Sequence, residues 1–170
     1  MELAPFIRDI PDFPKLGIIF KDITPLLADP AGLKDTVEQL IAPFENEGIE
    51  IVTGVESRGF IFAAAAAIRL GAGFVPIRKP GKLPADTIAE SYELEYGTDT
   101  IEIHSDAIAP GQKVLMLDDL LATGGTMSAA CELVKKIGGE IVSSGFVIEL
   151  GFLNGRDKLE CPVHSLMVVE

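Results

Sequence analysis

Two adjacent carboxylates, with a Thr-Gly-Gly-Thr turn after three intervening residues, are the residues best placed to do chemistry in this chain. They sit in Val114-Leu115-Met116-Leu117-Asp118-Asp119-Leu120-Leu121-Ala122-Thr123-Gly124-Gly125-Thr126. Four consecutive apolar residues predict a buried, parallel strand, with the acidic pair where that strand ends. Helical periodicity follows over residues 127–137. Ligands of open α/β sheets bind at this carboxyl end of the strands. Gly124 and Gly125 carry no side chains, so backbone N–H groups can close on an anion. Thr123 and Thr126 add hydroxyl donors, and the helix N-terminus adds positive potential. The turn therefore suits a phosphate. The carboxylates beside it suit ribose hydroxyls or a magnesium ion instead.

A second set of candidates is basic. Arg78, Lys79 and Lys82 fall in Ile77-Arg78-Lys79-Pro80-Gly81-Lys82, which contains no acid. The formal net charge of the chain is −12, so this cluster stands out. Taken alone it could be a solvated loop; its place after an expected strand favours an anion site. Val55-Glu56-Ser57-Arg58-Gly59 likewise ends a strand and opens a helix. It resembles a nucleophile elbow, but Val55 replaces the first glycine and no histidine follows in a triad position. Ser57 and Arg58 at a helix start suit a diphosphate better. No Gly-x-Gly-x-x-Gly follows the first core strand and no Walker lysine exists, which removes dinucleotide and NTPase readings.

The elements that must position these residues read as follows. Residues 30–46 form a helix, with Asp29 as N-cap, Pro30 in the first turn, and Leu33, Val37, Leu40, Ile41 and Phe44 on one face. Residues 50–55 form a strand, 59–70 an alanine-rich helix stopped by Gly71, and 74–77 a short strand. Residues 91–104 alternate, with Tyr92, Leu94 and Tyr96 on one side and Ile101 and Ile103 after a turn near Gly97. That pattern predicts a β-hairpin. Strands are also expected at 140–150 and 165–169. The fold class is α/β: a central, mostly parallel sheet flanked by helices, with an inserted hairpin that could act as a lid. The chain of 170 residues reads as one domain. Residues 80–106 are its flexible hairpin lid. Residues 1–30, carrying Pro5, Pro11, Pro14 and Pro25, are an irregular hood over the same edge.

Composition narrows the function classes. Hydrophobic content is 48%, yet no apolar stretch reaches membrane-spanning length. The first residues include Glu2, Arg8 and Asp9 and do not read as a secretory signal. Cys131 and Cys161 have no metal-ligand spacing and read as thiols of a cytoplasmic protein. The acidic balance disfavours nucleic-acid and membrane partners.

The acidic pair and glycine turn closely resemble the phosphoribosyl-diphosphate signature of the type I phosphoribosyltransferase family. The resemblance extends over most of the chain. It includes Phe13-Pro14, Gly17-Ile18-Ile19-Phe20-Lys21-Asp22-Ile23-Thr24-Pro25, Glu56-Ser57-Arg58-Gly59-Phe60, Gly81-Lys82-Leu83-Pro84 and Tyr92-Glu93-Leu94-Glu95-Tyr96-Gly97. Within that family these segments match the enzymes that act on adenine. The resemblance implies the following. Adenine and phosphoribosyl diphosphate become AMP and diphosphate in purine salvage, with Mg2+ held by substrate and water rather than directly by the protein. The enzyme is a cytoplasmic homodimer. Phe20 and Leu150 sandwich the adenine ring, and the main chain at Ile19 and Lys21 reads its edge. Asp118 and Asp119 bind the ribose hydroxyls, while Ala122, Thr123, Gly124, Gly125 and Thr126 bind the 5′-phosphate. Ser57, Arg58, Arg78, Lys79 and Lys82 surround the diphosphate. Glu95 is catalytic together with Arg58, and Tyr96 belongs to the lid. Without the resemblance, Phe20 and Leu150 read as core packing and Glu95 as one more solvated glutamate.

Two positions depart from the family pattern: Lys21, where arginine is common, and Ala85, where glycine follows Leu-Pro. Enzymes of the family that act on 6-oxopurines carry an aspartate where Ala122 stands, which argues against hypoxanthine and guanine. A phosphoribosyl-diphosphate-sensing regulator without catalysis would need a basic recognition helix, and none is visible.

Overall fold

The computed structural model describes every residue except Glu95. Five parallel strands form the central sheet in the order β4-β3-β7-β8-β9. These are β3 (Ile51–Val55), β4 (Gly73–Ile77), β7 (Lys113–Leu121), β8 (Glu140–Leu150) and β9 (Val163–Val169). The alternation of β7 divides the core between two faces. Val114 and Met116 pack with Ala130, Leu133 and Val134 of α4 (Gly125–Lys136). Leu115 and Leu117 pack on the opposite face with Ala63, Ala66 and Ala67 of α3 (Arg58–Leu70). The alanines leave room for α3 to lie close to the strands, which brings its first turn over the carboxyl edge of the sheet.

Helix α2 (Pro30–Ile41) covers the α3 face further out. The Asp29 side chain accepts from the Gly32 N–H at 2.6 Å and caps it, as the Asp-Pro start predicts. Leu40 is fully buried and Val37 nearly so, against Phe62, Val147 and Ile148. Burial of each such side chain contributes about 1.5–3 kcal/mol before the entropy cost of ordering it. The helix ends five residues before the expected boundary, and Pro43 sits in a short 3-10 turn over Ala42–Phe44. Cys131 is buried and Cys161 half-buried, and both are free thiols.

Two regions differ from the sequence reading. The hood is not irregular throughout. Strands β1 (Arg8–Pro11) and β2 (Ile19–Asp22) pair as an antiparallel hairpin, and α1 (Thr24–Ala28) follows. Side chains hold the hairpin that the prolines obscured: Lys21 pairs with Asp9 at 2.7 Å, and Asp12 accepts from the Gly17 N–H at 2.7 Å. The second difference is that the acidic pair lies inside β7, which runs on to Leu121. Beyond Leu117, β7 pairs only with β8, because its pairing with β3 stops at Gly54↔Leu117. The sheet therefore opens on the β3 side, beside Asp118 and Asp119.

The other hairpin is present. Strands β5 (Thr87–Glu93) and β6 (Thr98–His104) pair antiparallel, and Ile88, Tyr92, Ile101 and Ile103 pack toward α4. The expected single-sided stripe ends at Tyr92, since Leu94 and Tyr96 are exposed next to the turn.

Candidate active site

A cleft of about 460 Å³ opens where β3 and β7 separate. Phe20, Ser57, Arg58, Lys79, Asp118 and Asp119 line it, together with the whole of Ala122–Thr126. With Tyr92, which also lines the cleft, these residues come from five separate stretches of the chain, and the sheet topology gathers them at one edge. Leu150, Arg78, Lys82, Ile19, Lys21 and Tyr96 are not among the lining residues. Leu150 is half-buried against the cluster that contains Val147 and Ile148. Arg78 and Lys82 sit beyond the end of β4, with an Arg78 Nη1 to Lys82 carbonyl distance of 3.5 Å. Ile19 is exposed, Lys21 is held by Asp9, and Tyr96 is exposed in the turn of the second hairpin. Glu95 lies outside the described residues.

The acidic pair is not symmetric. Asp119 is 5% exposed and pairs with Arg58, Nε to Oδ2 at 2.8 Å. Asp118 forms no ion pair among the described residues, and its Oδ1 accepts from the Asp119 N–H at 2.9 Å. Burial first, and then the negative charge of Asp119, push the Asp118 carboxyl well above the usual carboxylate range. The first turn of α3 crosses directly over it: a Cβ on Gly59 would lie 2.7 Å from Asp118 Oδ1. Gly59 is thus part of the site, a role that the sequence reading did not give it.

Arg58 joins two parts of the cleft. Its guanidinium carbon lies 4.9 Å from the centroid of the Phe20 ring, while its Nε holds Asp119. The hood strand β2 is thereby fastened to the sheet edge through a cation–π contact.

The glycine turn is built as an anion cradle. Gly124 has φ +83 and caps α4, whose first backbone bond runs from the Ser128 N–H to the Gly124 carbonyl. The N–H groups of Gly125, Thr126 and Met127 precede that bond and stand at the cleft. They add the positive end of the helix dipole.

A polar chain links this turn to the basic side. Thr126 Oγ1 donates to Tyr92 Oη at 3.1 Å, and Tyr92 Oη donates to Asp99 Oδ2 at 3.1 Å. Asp99 also pairs with Lys79, and that hydrogen bond holds its carboxyl below the usual range. Glu56 accepts from the Lys79 N–H at 2.6 Å and lies 3.3 Å from Arg78 Nε, which joins the ends of β3 and β4. Tyr92, Asp99 and Glu56 were not assigned from sequence. Tyr92 stands in the sequence as a strand position and as the first residue of a family-like segment, without a role of its own, and nothing marks Asp99 among many acids.

Among the described residues no group of three or more His, Cys, Asp or Glu side chains is placed to hold a metal. Asp118 is the one carboxylate at the cleft without an ion-pair partner among the described residues. Among the described residues no helix is long and apolar enough to cross a membrane.

The chain matches the phosphoribosyl transferase domain family over residues 24–167. It is 61% identical over 160 residues to the adenine phosphoribosyltransferase of Halothermothrix orenii, covering 94% of each chain. The crystal structure of adenine phosphoribosyltransferase from Rhodothermus marinus superposes with TM-score 0.94 at 54% identity, covering 98% of this chain and 96% of that one. The Saccharomyces cerevisiae enzyme, solved with adenine and an imino-altritol bisphosphate, superposes with TM-score 0.92 at 41% identity over 96% of each chain. With the acidic pair, the glycine turn and the basic strand ends gathered at one sheet edge, this chain belongs to the adenine phosphoribosyltransferase family of phosphoribosyl transferase domains.

Proposed function

We propose that this chain transfers the 5-phosphoribosyl group of phosphoribosyl diphosphate to N9 of adenine, releasing AMP and diphosphate. The observation that carries the reading is the convergence of Asp118, Asp119, the Thr123–Thr126 turn, Arg58 and Lys79 on one cleft. A ligand with a phosphate, two vicinal hydroxyls and a diphosphate matches that order of donors and acceptors.

The 5′-phosphate sits on the N–H groups and hydroxyls of Ala122, Thr123, Gly124, Gly125 and Thr126. Asp118 and Asp119 accept from the ribose hydroxyls and fix C1 in line with the incoming nitrogen. Ser57, Arg58 and Lys79, with Arg78 and Lys82 drawn in from the loop after β4, take the diphosphate. The Asp118 carboxylate, unpaired among the described residues and beside a polyphosphate site, fits a magnesium ion held by substrate and water, which would supply charge neutralisation of the leaving group. Phe20 and Leu150 bracket the adenine ring, and the backbone at Ile19 and Lys21 reads its edge. Arg58 must leave the face of Phe20 that adenine takes, and the diphosphate oxygens give it a new partner.

The C1–O bond to diphosphate breaks early, leaving oxocarbenium character on the ribose. The basic residues stabilise the departing charge. N9 then forms the new bond to C1, and Glu95 receives the N9 proton. The β5–β6 hairpin, with Tyr96 at its turn, closes over the cleft and keeps water from hydrolysing the activated sugar. Ala122 leaves no carboxylate to meet N7 of a 6-oxopurine, which favours adenine. The free thiols suit a cytoplasmic setting, and family likeness supports a homodimer.

The deciding assay measures diphosphate release with phosphoribosyl diphosphate and each of adenine, hypoxanthine, guanine and xanthine, with and without chelator. Turnover with adenine alone, abolished by chelator, is expected. Equal turnover with hypoxanthine would overturn the adenine assignment, and full activity in chelator would overturn the magnesium role.

A further inference from the structure

The glycine turn has a backing that the reaction does not explain. After β8 the chain makes two 3-10 turns, Gly151–Leu153 and Gly155–Lys158, joined through Asn154, which sits in the left-handed region at φ 52. Gly155 is buried against the back of the turn. A Cβ there would fall 2.2 Å from the Ala122 carbonyl oxygen and 3.0 Å from the Gly124 nitrogen. The reverse also holds: a Cβ on Gly124 would fall 2.3 Å from the Gly155 carbonyl oxygen. The two backbones are in van der Waals contact with no side chain between them. Any movement of the 155 loop therefore moves the atoms that shape the cradle.

The next residue anchors that loop. Arg156 reaches Glu149 with both arms of its fork, Nε to Oε1 at 2.8 Å and Nη2 to Oε2 at 2.6 Å. Ser165 of β9 donates to the same Oε2 at 2.6 Å. Glu149 stands near the end of β8, opposite Leu121 of β7, the last strand residue before the turn. Its side chain is only 5% exposed, whereas that of Arg156 is 47% exposed. The hydrogen bonds from Arg156 hold the Glu149 carboxyl below its usual range against the opposing effect of burial. A buried carboxylate at this point costs desolvation energy, and an apolar residue would serve packing alone as well. What the charge adds is direction: a planar, bidentate pair fixes the orientation of the loop, which a hydrophobic contact does not.

We propose that Glu149 and Arg156 are positioning residues for the ribose 5′-phosphate, acting through Gly155 on the shape of the Ala122–Gly125 cradle. This rests on the phosphoribosyl-transfer reading and adds to it a specific determinant of phosphoribosyl-diphosphate affinity outside the cleft. Neither residue lines the cleft. Their influence is carried by the backbone contact alone.

The test compares Arg156→Lys, which keeps the charge and loses the fork, with Glu149→Gln and the wild type. Arg69→Gln is the control, because it breaks an ion pair with Glu38 on the far side of α3. Positioning predicts that Arg156→Lys and Glu149→Gln raise the KM for phosphoribosyl diphosphate roughly tenfold or more while the KM for adenine moves less than about twofold. Arg69→Gln should lower the thermal midpoint and leave both KM values in place. A lowered thermal midpoint in Arg156→Lys with unchanged KM for phosphoribosyl diphosphate overturns the proposal, since that is the mark of a merely structural pair. If those two variants do not fold, Glu149→Asp decides: it keeps the buried charge but draws the carboxylate back by one methylene from the Arg156 fork. A raised KM for phosphoribosyl diphosphate supports the proposal and an unchanged one overturns it. If the wild type makes no AMP, the transfer reading has failed by itself. Titration of wild type and Arg156→Lys with ribose 5-phosphate then tests the cradle directly, with weaker binding by the variant expected and equal binding overturning it.

Discussion

The hydroxyl of Thr126, on the glycine turn, donates to the hydroxyl of Tyr92, on the β5–β6 hairpin, across 3.1 Å. Tyr92 in turn donates a hydrogen bond to Asp99, which is paired with Lys79. One continuous polar chain thus runs from the glycine turn, through the hairpin, to Lys79 beyond the end of β4. A phosphate bound at Thr126, as proposed, would compete with Tyr92 for the same hydroxyl donor and so would be felt by the hairpin.

Tyr92→Phe keeps the ring in its core contact and removes both hydrogen bonds. A net hydrogen bond contributes about 0.5–1.5 kcal/mol, so the thermal midpoint should fall by about 2–4 °C per kcal/mol lost and the KM for phosphoribosyl diphosphate should change by roughly 2- to 12-fold, with the ring packing kept. Steady-state kinetics at saturating adenine reads this out. Unchanged constants would mean that the chain does not couple the hairpin to the cradle.

Asp118 sets stability against activity. Its carboxyl is raised well above the usual range, chiefly by burial and next by the charge of Asp119. The folded protein therefore holds a proton there more tightly than the unfolded chain. That contribution is fully present below the ordinary carboxylate pKa and is lost as pH rises through the raised value. Asp118→Asn removes the buried repulsion, so at pH 7 the free protein should gain about 1 kcal/mol, or about 2–4 °C in thermal midpoint for a chain of this size. The gain should shrink as pH falls toward the ordinary carboxylate range, where the wild-type group is also neutral. Activity should move the other way, with kcat/KM for phosphoribosyl diphosphate down roughly 10²-fold, as for other lost transition-state contacts. Thermal scans at two pH values and kinetics on one preparation check both halves. A variant no more stable than wild type at pH 7 would contradict the buried repulsion, and unaltered kinetics would contradict the ribose contact.

The cradle and the acids were legible in the sequence because they are local: a buried apolar run, two carboxylates and a glycine turn are contiguous. Strand β8 was legible over its whole length, Glu140–Leu150, for the same reason. The run did not reveal that β7 continues past its acids. That depends on Leu120 and Leu121 pairing with Ile148 and Glu149, a contact with a strand far along the chain. The hood hairpin was hidden by prolines that break alternation and by ion pairs such as Arg8 with Asp22 that are long-range. Gly155 and Arg156 were likewise invisible, since a glycine after Asn154 reads as an ordinary turn signal until Ala122 is seen behind it.

Asp29 offers a change that should affect the fold and spare the chemistry. Its side chain caps α2 through the Gly32 N–H at 2.6 Å, and neither Asp29 nor any residue of α2 lines the cleft. Asp29→Ala should cost about 1 kcal/mol, the usual worth of such a cap. For a chain of this size that lowers the thermal midpoint by about 2–4 °C. Both KM values and kcat should match wild type at a temperature well below the transition. A change in kinetics at that temperature would mean that α2 communicates with the site, contrary to the packing.

Glu95 is assigned from its place in Tyr92-Glu93-Leu94-Glu95-Tyr96-Gly97, just beyond the end of β5 at Glu93. If it receives the N9 proton under a closed hairpin, its effect arises in the transition state and not in the binding of either substrate. Glu95→Gln should then lower kcat by about 10²- to 10⁴-fold, the usual span for a general acid–base group, with much smaller changes in KM. Glu93→Gln is the control, an exposed carboxylate two residues earlier on the same hairpin. It has the same charge and nearly the same place in the chain, so a general electrostatic effect of the hairpin would appear in both variants. A loss confined to Glu95→Gln assigns the proton to that side chain. Equal losses in both would reduce Glu95 to one part of an acidic hairpin surface. If neither variant lost activity, the hairpin would be a cover without chemistry, and the N9 proton would have to leave by another acceptor.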